Sequence, residues 1–495
     1  MNNTGLNEKT PSIKGITCDS RKVKPGYAFV AIRGFKEDGN NYILNAIDRG
    51  ASVVFTDKNI TENIPNKDIP IIKVKDARSY LGYLAASYYE HPSKKLKLIG
   101  TTGTNGKTTT THLIYHLLNY YSKNNKNTPK KISGLIGTVN VDTGKEIIPG
   151  NLTTPPPVKL QQYLYQMIKS GLKYACMEVS SHGIKLKRIS GTKFAVKVAT
   201  NISIDHYDLH PDFEEYINVK KQFLENSGKT IVLINNDNKY LNSFGIITKN
   251  QLNFSIKKYS DIQAKKIQNK QSGNQFIYQL NRHIKREDGS LLAPCKIPIK
   301  TNLPGKHNIY NSLIAITIAL YYEIPCRTIR YFFHSFNGVW RRFQFIYKKD
   351  YTIIDDCAHN PGSYRAVFAA VKKMKYNRLI IVNSLRGNRG VKINKKNAET
   401  ISKKLLELNK YILYTTNCSE VVKPIDKIKA EEEEIFLQTL KKNNIQFEHY
   451  QQLNPALKQA LSEVGKNDII LLLGPHSMDH AGEMILEMNK ISVKT

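Results

Sequence analysis

The chain has 495 residues, of which 40% are apolar and 23% charged. It is too long for one ordinary hydrophobic core and, at about 100–200 residues per domain, is predicted to form three domains. The formal net charge of +33 is spread along the chain, which argues against a nucleic-acid-binding arm. We expect most of the excess to be compositional, because Lys, Asn and Ile are all plentiful; a positive field would still concentrate polyanionic small-molecule substrates. The six scattered cysteines argue against a disulfide scaffold. The sequence has neither a secretion signal nor an apolar run of roughly 20 residues, which predicts a cytoplasmic protein with no membrane partner.

The sequence patterns of strands and helices divide the chain into three blocks. In the first two blocks, strands are predicted at 27–32, 52–56, 95–100, 174–180, 195–200 and 230–235, and helices from Thr108 onward and at 308–322. In the third, strands are predicted at 352–356, 378–383, 411–416 and 468–473, with a helix at 397–408; the short acidic run at 429–434 is expected to open a solvated helix. Alternating strands and helices predict an α/β fold with parallel sheets, whose ligands bind at the carboxyl ends of the strands.

The clearest chemical signal is G-T-N-G-K-T, between a predicted strand and a predicted helix. Its residues are Gly103, Thr104, Asn105, Gly106, Lys107 and Thr108. Glycines let the backbone approach a phosphate, a lysine neutralises the β/γ oxygens, and the next hydroxyl can hold Mg²⁺. Thr101 stands where the general phosphate-loop pattern has its first glycine, but the strand–loop–helix setting still predicts ATP binding.

This motif in its setting resembles the Mur ligases and their relative folylpolyglutamate synthetase. The stretch C-D-S-R-K-V-K-P-G at 18–26, which continues to Gly39, is similar to the uridine-binding domain of the Mur ligase branch that adds the third residue to UDP-N-acetylmuramoyl-dipeptide. The resemblance implies that Ser20 contacts the UDP moiety. It also implies a UDP-substrate-binding domain at 1–94, a central ATP-binding phosphate-loop domain with a parallel or mixed sheet at 95–340, and a Rossmann-like amino-acid-binding domain at 341–495.

Two segments of the central block are similar to the family's substrate and magnesium contacts. L-T-T-P at 152–155 and M-E-V-S-S-H-G-I at 177–184 carry most of these residues. The resemblance implies substrate contacts by Thr153, Thr154, Ser181, His182 and Arg188. It also makes Glu178 a magnesium ligand, and a carboxylate at the end of a strand beside a phosphate loop suits Mg²⁺ physically.

A second magnesium ion is implied by T-N-I-S-I-D-H-Y-D-L-H at 200–210, which corresponds to the family pattern T-N-x-x-x-D-H-x-D-x-H. His206 is then its ligand. Lys220 aligns with the family lysine that is carbamylated, a reaction with CO₂ that turns an ammonium group into a carboxylate-like ligand. Lys107, Lys220, His206 and Glu178 are therefore the predicted catalytic residues, and Thr108 is predicted to hold the first ion with Glu178.

The remaining ATP contacts are implied by three further segments. P-G-K-H-N-I-Y-N-S-L-I-A at 304–315 resembles the family helix whose asparagines reach adenine, D-D-C-A-H-N-P at 355–361 resembles D-Y-A-H-x-P with cysteine for tyrosine, and V-W-R-R-F at 339–343 stands where the family has V-P-G-R-M. The predicted ATP-binding residues outside the loop are Thr109, Asn308, Asn311, Arg342, Asp356 and His359.

The family motifs that bind the incoming amino acid are absent from this sequence. Where the family has D-N-P-R, this chain has T-T-N-C-S-E at 415–420, and where the family has G-K-G-H-E, it has L-L-G-P-H-S-M-D-H at 472–480. The arginine fork that suits an amino-acid carboxylate is missing, which disfavours meso-diaminopimelate. The archaeal pseudomurein peptide ligases, which also resemble Mur ligases, remain open as the branch to which the chain belongs.

The resemblance thus implies an ATP-dependent ligase that needs two Mg²⁺ ions and adds a free amino acid to a UDP-linked peptide or sugar-peptide precursor of murein or pseudomurein. It implies an acyl-phosphate intermediate and release of ADP and phosphate. Two alternatives stay open: a folylpolyglutamate-type or polymer-forming amino-acid ligase, which the segment beginning at Cys18 opposes, and a basic nucleotide-dependent protein that binds nucleic acid, which the metal-ligand pattern opposes.

Overall fold

The computed structural model describes residues 12–34, 37–59, 69–125, 128–203, 212–225, 228–270, 273–408, 410–422 and 424–492. The molecule separates into two compact units. The first unit contains Met1–Thr102, Ser122–Val198 and Gln222–Val232, and the second contains Gly103–Tyr121, Ala199–Lys221 and Leu233–Thr495.

Strands and helices alternate along most of the chain. The strands are β1 (Gly15–Thr17), β2 (Tyr27–Val30), β3 (Ala51–Thr56), β4 (Ile71–Lys73), β5 (Lys97–Thr102), β6 (Ser133–Ile136), β7 (Asn140–Asp142), β8 (Ile147–Pro149), β9 (Tyr174–Glu178), β10 (Val196–Ala199), β11 (Ile231–Asn235), β12 (Gln251–Ser255), β13 (Ile262–Lys270), β14 (Gly273–Leu280), β15 (Ile284–Lys285), β16 (Leu291–Leu292), β17 (Cys295–Thr301), β18 (Gln344–Lys348), β19 (Thr352–Asp356), β20 (Leu379–Ser384), β21 (Tyr411–Thr416), β22 (Glu448–Tyr450) and β23 (Ile469–Leu473). The α-helices are α1 (Ile43–Asp48), α2 (Ala77–Tyr88), α3 (Pro92–Lys95), α4 (Lys107–Lys123), α5 (Pro157–Lys169), α6 (Ser181–Lys185), α7 (Phe213–Leu224), α8 (Lys239–Asn242), α9 (Lys306–Tyr321), α10 (Cys326–Ser335), α11 (Pro361–Val371), α12 (Val391–Leu405), α13 (Ala430–Lys442), α14 (Leu453–Glu463) and α15 (Ala481–Ser492).

The first unit contains two sheet regions. The N-terminal one has the order β1-β2-β3-β4, and its neighbouring strands run parallel. The other has the order β5-β9-β6-β7-β8, in which β5, β9 and β6 are parallel and β7 and β8 are added antiparallel. Side chains of β9 such as Cys176 and Met177 are fully buried, as expected for parallel strands that are covered on both faces.

In the second unit, α4 begins at the end of the phosphate loop, and a sheet region has the order β17-β14-β13-β12. β14 pairs antiparallel with β13 and β17, so this part of the sheet is mixed. α9 is buried on nearly every side, with Ile309, Leu313 and Ile316 at 0% exposure, which explains its almost unbroken apolar sequence. Strands β10 and β11 contribute residues to both units.

The C-terminal part of the second unit is a doubly covered α/β layer. Its sheet has the order β18-β19-β23-β20-β21-β22, parallel except for the edge strand β18. Helices α11, α12 and α13 cover one face, and α14 and α15 cover the other. The predicted α/β class with parallel sheets is confirmed.

Candidate active site

The phosphate loop, residues 103–106, follows β5 and ends where α4 begins. Gly103 has a φ of 142° and Gly106 a φ of 85°. A Cβ atom on Gly103 would collide with the Thr200 hydroxyl, and one on Gly106 would lie 2.9 Å from Asn311 Oδ1. Both glycines are therefore required by backbone angle and by close packing.

The loop is held by the segment that follows β10. The Thr104 N–H donates to the Asn201 carbonyl oxygen (2.8 Å), and the Asn105 N–H donates to Asn201 Oδ1 (3.0 Å). In return, the Asn105 carbonyl accepts from Thr200 Oγ1 (2.6 Å) and Asn201 Nδ2 (2.8 Å). The sequence motif at 200–210 thus supports the loop through Thr200 and Asn201, a role that its spacing alone did not reveal.

Two cationic side chains lie at the start of α4. Lys107 Nζ donates to the carbonyl oxygens of Gly103 (2.8 Å) and Thr104 (3.0 Å), so the ammonium group lies over the loop. Arg342 Nη2 donates to Thr108 Oγ1 (3.0 Å), while Arg342 Nε is buried and has no hydrogen-bond partner in the part of the chain described. A buried orphan donor beside a glycine loop and a helix N-terminus fits the oxygens of a bound triphosphate.

Lys220 is connected to the loop through Tyr216. The Tyr216 hydroxyl lies 2.9 Å from Thr104 Oγ1, and Lys220 Nζ lies 4.6 Å from the centre of the Tyr216 ring. Lys220 is only 1% exposed and Tyr216 is fully buried. The predicted carbamylated lysine therefore lies in the interior of the second unit, one side chain away from the phosphate loop.

Asn308 and Asn311 are also buried, each 3% exposed, and connect α9 to α4. Asn311 Oδ1 accepts from Thr110 Oγ1 (3.0 Å), and Asn311 Nδ2 donates to Asn308 Oδ1 (3.1 Å). Asn308 Nδ2 in turn donates to the Pro304 carbonyl oxygen (2.8 Å). These contacts place the pair beside Gly106, and their predicted contact with adenine stays a prediction.

In the segment after β19, the Asp356 carboxylate accepts from the Phe343 N–H (2.7 Å). Burial raises the pKa of Asp356 to about 6, although the nearby Arg342 charge acts in the opposite direction. His359 Nδ1 lies 2.6 Å from the Cys357 carbonyl oxygen and, because a carbonyl oxygen only accepts, this nitrogen donates the hydrogen bond.

The contact between this segment and the phosphate loop is made by Asn360, which the sequence motif did not single out. Asn360 Nδ2 donates to Asn105 Oδ1 (3.2 Å), and Asn360 also caps α11 by accepting from the Ser363 N–H (2.9 Å). The N-P pair at 360–361 was the available signal, because asparagine before proline is typical of a helix start.

In the first unit, Glu178 ends β9 and is fully buried. Its carboxylate accepts from the Thr138 N–H (2.8 Å) and from Thr138 Oγ1 (3.2 Å), and the Thr138 hydroxyl also lies 3.0 Å from Thr153 Oγ1. The structure therefore brings the predicted residues Glu178 and Thr153 into contact with the same residue, Thr138.

Thr154 joins the neighbouring predicted substrate residues. Its hydroxyl donates to the Glu178 carbonyl oxygen (3.0 Å) and accepts from the Ser180 N–H (2.9 Å), and its carbonyl accepts from Arg188 Nη1 (2.8 Å). Burial lowers the pKa of Arg188. The Ser181 hydroxyl is buried and has no hydrogen-bond partner among the described residues, so it is a donor available to a ligand.

The other predicted residues lie as follows. His182 is half-buried in α6, Thr109 is buried in α4, and Ser20 is buried in the turn after β1. His206 lies outside the described residues. Within those residues, there is no group of three or more His, Cys, Asp or Glu side chains that could hold a metal ion, and no helix has both the length and the apolar character that crossing a bilayer requires.

Comparison with known proteins identifies the family. Family models described as the Mur ligase family catalytic domain, the Mur ligase middle domain and the Mur ligase glutamate ligase domain match residues 12–89, 101–319 and 341–476. The UDP-N-acetylmuramoyl-L-alanyl-D-glutamate–2,6-diaminopimelate ligase of Caldanaerobacter subterraneus subsp. tengcongensis is 34% identical over 464 residues, which is 93% of this chain and 89% of the relative. The chain belongs to the Mur ligase family. This Mur ligase is an ATP-dependent enzyme that forms amide bonds.

Solved structures of family members share the fold. A UDP-N-acetylmuramoyl-L-alanyl-D-glutamate–2,6-diaminopimelate ligase matches with a TM-score of 0.65 at 21% identity and covers 96% of this chain and 95% of its own. A pseudomurein peptide ligase type C from Methanothermus fervidus matches with a TM-score of 0.58 at 19% identity and covers 96% of this chain and 100% of its own. At these identities the likeness establishes the fold alone.

Proposed function

We propose that this Mur ligase joins the amino group of a free amino acid to a carboxyl group of a UDP-linked peptide or sugar-peptide precursor of murein or pseudomurein. The observation that carries the proposal is the meeting of Lys107 and Arg342 at the phosphate loop, in a chain whose relatives are named as ligases of such precursors. The proposed domains remain 1–94 for the UDP-substrate, 95–340 for ATP and 341–495 for the amino acid.

In the proposed reaction, a carboxylate oxygen of the acceptor attacks the γ-phosphorus of ATP, and the bond to the β-phosphate oxygen breaks to release ADP. The amino group of the incoming residue then attacks the carbonyl carbon of the acyl phosphate, loses a proton and expels inorganic phosphate. Lys107 and Arg342 neutralise the charge that develops on the transferred phosphoryl group. Asn360 and Asn105 hold the third domain's segment at the loop and help to exclude water, which would hydrolyse the acyl phosphate.

We assign two Mg²⁺ sites to predicted residues. The resemblance assigns Thr108 and Glu178 to one ion, and His206 and a carbamylated Lys220 to the other. When bound, Mg²⁺ supplies a positive charge that stabilises the phosphoryl oxygens. Carbamylation joins the neutral Lys220 amine to CO₂ with loss of a proton, and the resulting anion, unlike an ammonium group, attracts a cation.

The incoming amino acid is proposed to differ from that of the diaminopimelate-adding relatives. At the carboxyl ends of β21 and β23, the segments 415–420 and 472–480 lack the arginine fork that would match a second carboxylate. We therefore expect an amino acid whose side chain carries no carboxylate.

The decisive experiment measures ADP release with each amino acid in turn, using three acceptors: UDP-N-acetylmuramoyl-dipeptide, a UDP-linked glutamyl peptide and a folate. Lys107→Met should lower the rate of ADP release at least about 10²–10³-fold. Lys123→Met, at the exposed end of the same helix, should leave that rate unchanged. No release with any pair would contradict the proposal, and release with glutamate on a folate acceptor would favour the folylpolyglutamate alternative.

A separate experiment tests whether Lys220 is carbamylated and needed for activity. Lys220→Ala should lose most activity and recover part of it when a short carboxylic acid is supplied, because the acid replaces the carbamate. Mass measurement of the intact protein under CO₂-rich, non-acidic conditions should detect the added group. Full activity of the variant without any additive would remove Lys220 from the mechanism.

A further inference from the structure

Arg342 lies in a turn, residues 339–343, whose backbone needs external support. The turn is closed by the Arg342 N–H, which donates to the Val339 carbonyl oxygen (3.0 Å). The residues on either side, Arg341 and Phe343, both have a φ of 52°. Bulky residues adopt this left-handed region only where the surrounding structure holds them there. Glycine, which the family motif V-P-G-R-M has in place of Arg341, adopts it without that requirement.

Two consecutive aspartates of β19 hold the two flanking residues. Asp355 Oδ1 accepts from Arg341 Nε (3.0 Å), and Asp356 Oδ2 accepts from the Phe343 N–H (2.7 Å). Because neighbouring side chains of a strand point to opposite faces of the sheet, this pair holds the turn from both sides. Arg342 between them is thereby fixed in direction.

The rest of the Arg341 guanidinium group is bound by the loop that follows β23, residues 474–479. Nη1 donates to Asp479 Oδ1 (2.6 Å) and to the Pro475 carbonyl oxygen (2.9 Å), and Nη2 donates to the Gly474 carbonyl oxygen (2.8 Å). The Arg341 side chain is 1% exposed. Only the planar fork of an arginine can satisfy these acceptors together, since a lysine has one nitrogen.

We propose that Arg341 is a positioning residue that fixes Arg342 against Thr108, at the start of α4 beside the phosphate loop, and connects this contact to the loop at 474–479. That loop lies at the carboxyl edge of the sheet, where ligands of open α/β sheets bind. Arg341 therefore makes the placement of a phosphate-binding cation depend on the conformation of the C-terminal sheet edge. The inference rests on the proposed function only for the role of Arg342 at the ATP phosphates.

A double-mutant cycle on ATP affinity tests the proposal without requiring the acceptor to be known. Arg342→Ala should weaken ATP binding about tenfold, the loss of one charged hydrogen-bonding group. Arg341→Lys should weaken it about fivefold in the wild-type background but by less than about 1.5-fold in the Arg342→Ala background, because its effect is transmitted through Arg342. Equal losses in the two backgrounds, or no loss in either, would overturn the proposal.

The cycle can be repeated with Asp479→Asn in place of Arg341→Lys, which keeps the experiment conclusive if Arg341→Lys does not fold. This change is milder because the ion pair between Arg341 and Asp355 is kept. Arg378→Lys is the matched control and should leave ATP affinity unchanged. Arg378 pairs with Asp468 (2.9 Å) just before β20 and β23 begin, at the edge of the sheet away from the loop at 474–479. Failure of the proposed function would appear differently, as wild-type protein that binds ATP but releases no ADP with any acceptor.

Discussion

Tyr216 makes two contacts that can be separated experimentally. Its hydroxyl lies 2.9 Å from Thr104 Oγ1 in the phosphate loop, whereas its ring centre lies 4.6 Å from Lys220 Nζ. Tyr216→Phe removes the first contact and keeps the second. Because one neutral hydrogen bond contributes about 1 kcal/mol, we expect KM for ATP to rise about fivefold with little change in kcat.

Steady-state kinetics with varied ATP measures this effect. Tyr240→Phe is the control, because the Tyr240 ring packs against Phe213 in the same region and, within the described part of the chain, makes no hydrogen bond to the loop. A fall in kcat with unchanged KM would show instead that the Tyr216 hydroxyl acts in the chemical step or through Lys220.

Asp356 should make stability depend on pH. Burial raises the pKa of its carboxyl group from an ordinary value of 3.8 to about 6, so the folded protein prefers the neutral form. The corresponding stabilisation is complete below the ordinary pKa and is lost as pH rises through about 6. Asp356→Asn stays neutral and should gain up to about 3 kcal/mol relative to wild type between about pH 4 and about pH 8.

Urea unfolding without nucleotide, followed by the fluorescence of the single tryptophan, Trp340, measures this difference. Asp350→Asn, which removes an exposed carboxylate just before β19, is the control variant over the same range. A difference for Asp356→Asn that is the same at every pH would mean that its carboxylate is ionised in the folded protein at no cost.

At this scale, the sequence predicted residues by chemical type but not all of their contacts. Lys107 and Arg342 were predicted as ATP contacts, and they lie at the loop. Thr200, Asn201 and Asn360, which hold the loop, were missed because their hydrogen-bond partners are about a hundred or more residues away in the chain. Such partners follow from tertiary packing, which a motif read along one segment does not encode.

Among the elements, the loop at 387–390 and helix α13 are joined by a buried carboxylate. Glu432 is fully buried and accepts from the N–H groups of Asn388 (2.8 Å), Arg389 (2.7 Å) and Gly390, as well as from the Lys429 N–H (3.1 Å). Removing the carboxylate leaves three donors unsatisfied just before α12 and one at the start of α13. Glu432→Ala should therefore lower the free energy of unfolding by about 3 kcal/mol.

Chemical denaturation monitored at Trp340 and by circular dichroism checks this value. Glu431→Ala, an exposed neighbour on the same helix, should change stability by less than about 0.5 kcal/mol. Equal stability of both variants would mean that water satisfies the loop as well as Glu432 does.

The acidic run also illustrates what sequence patterns can predict about elements. The run at 429–434 was expected to open a solvated helix; α13 does begin at Ala430, but Glu432 faces the interior. Strands with continuous apolar sequence, such as β21 and β23, were predicted to within a residue, since burial on both faces leaves a clear pattern. The antiparallel pairing of β13, β14 and β17 was not predicted, because their mixed polar sequence carries a weak signal.

On the scale of the whole molecule, the net charge of +33 is unusual for an enzyme with small substrates, and its effect on ATP binding can be measured. A positive field attracts ATP over distances of about 10 Å at 0.1 M salt but only about 3 Å at 1 M. If the field assists binding, KM for ATP should rise about threefold between these salt concentrations, while kcat and the KM of the zwitterionic amino acid should change little.

The same salt series distinguishes this role from nucleic-acid binding. Affinity for a single-stranded oligonucleotide that falls by several powers of ten, with a steep linear dependence on the logarithm of salt concentration, would identify a surface that binds many phosphates. ATP, with its few charges, should give a shallow slope because few counterions are released. A KM for ATP that does not respond to salt, together with no oligonucleotide binding, would mean that the excess of lysine is compositional, and that Lys107 and Arg342 supply the local charge that ATP meets.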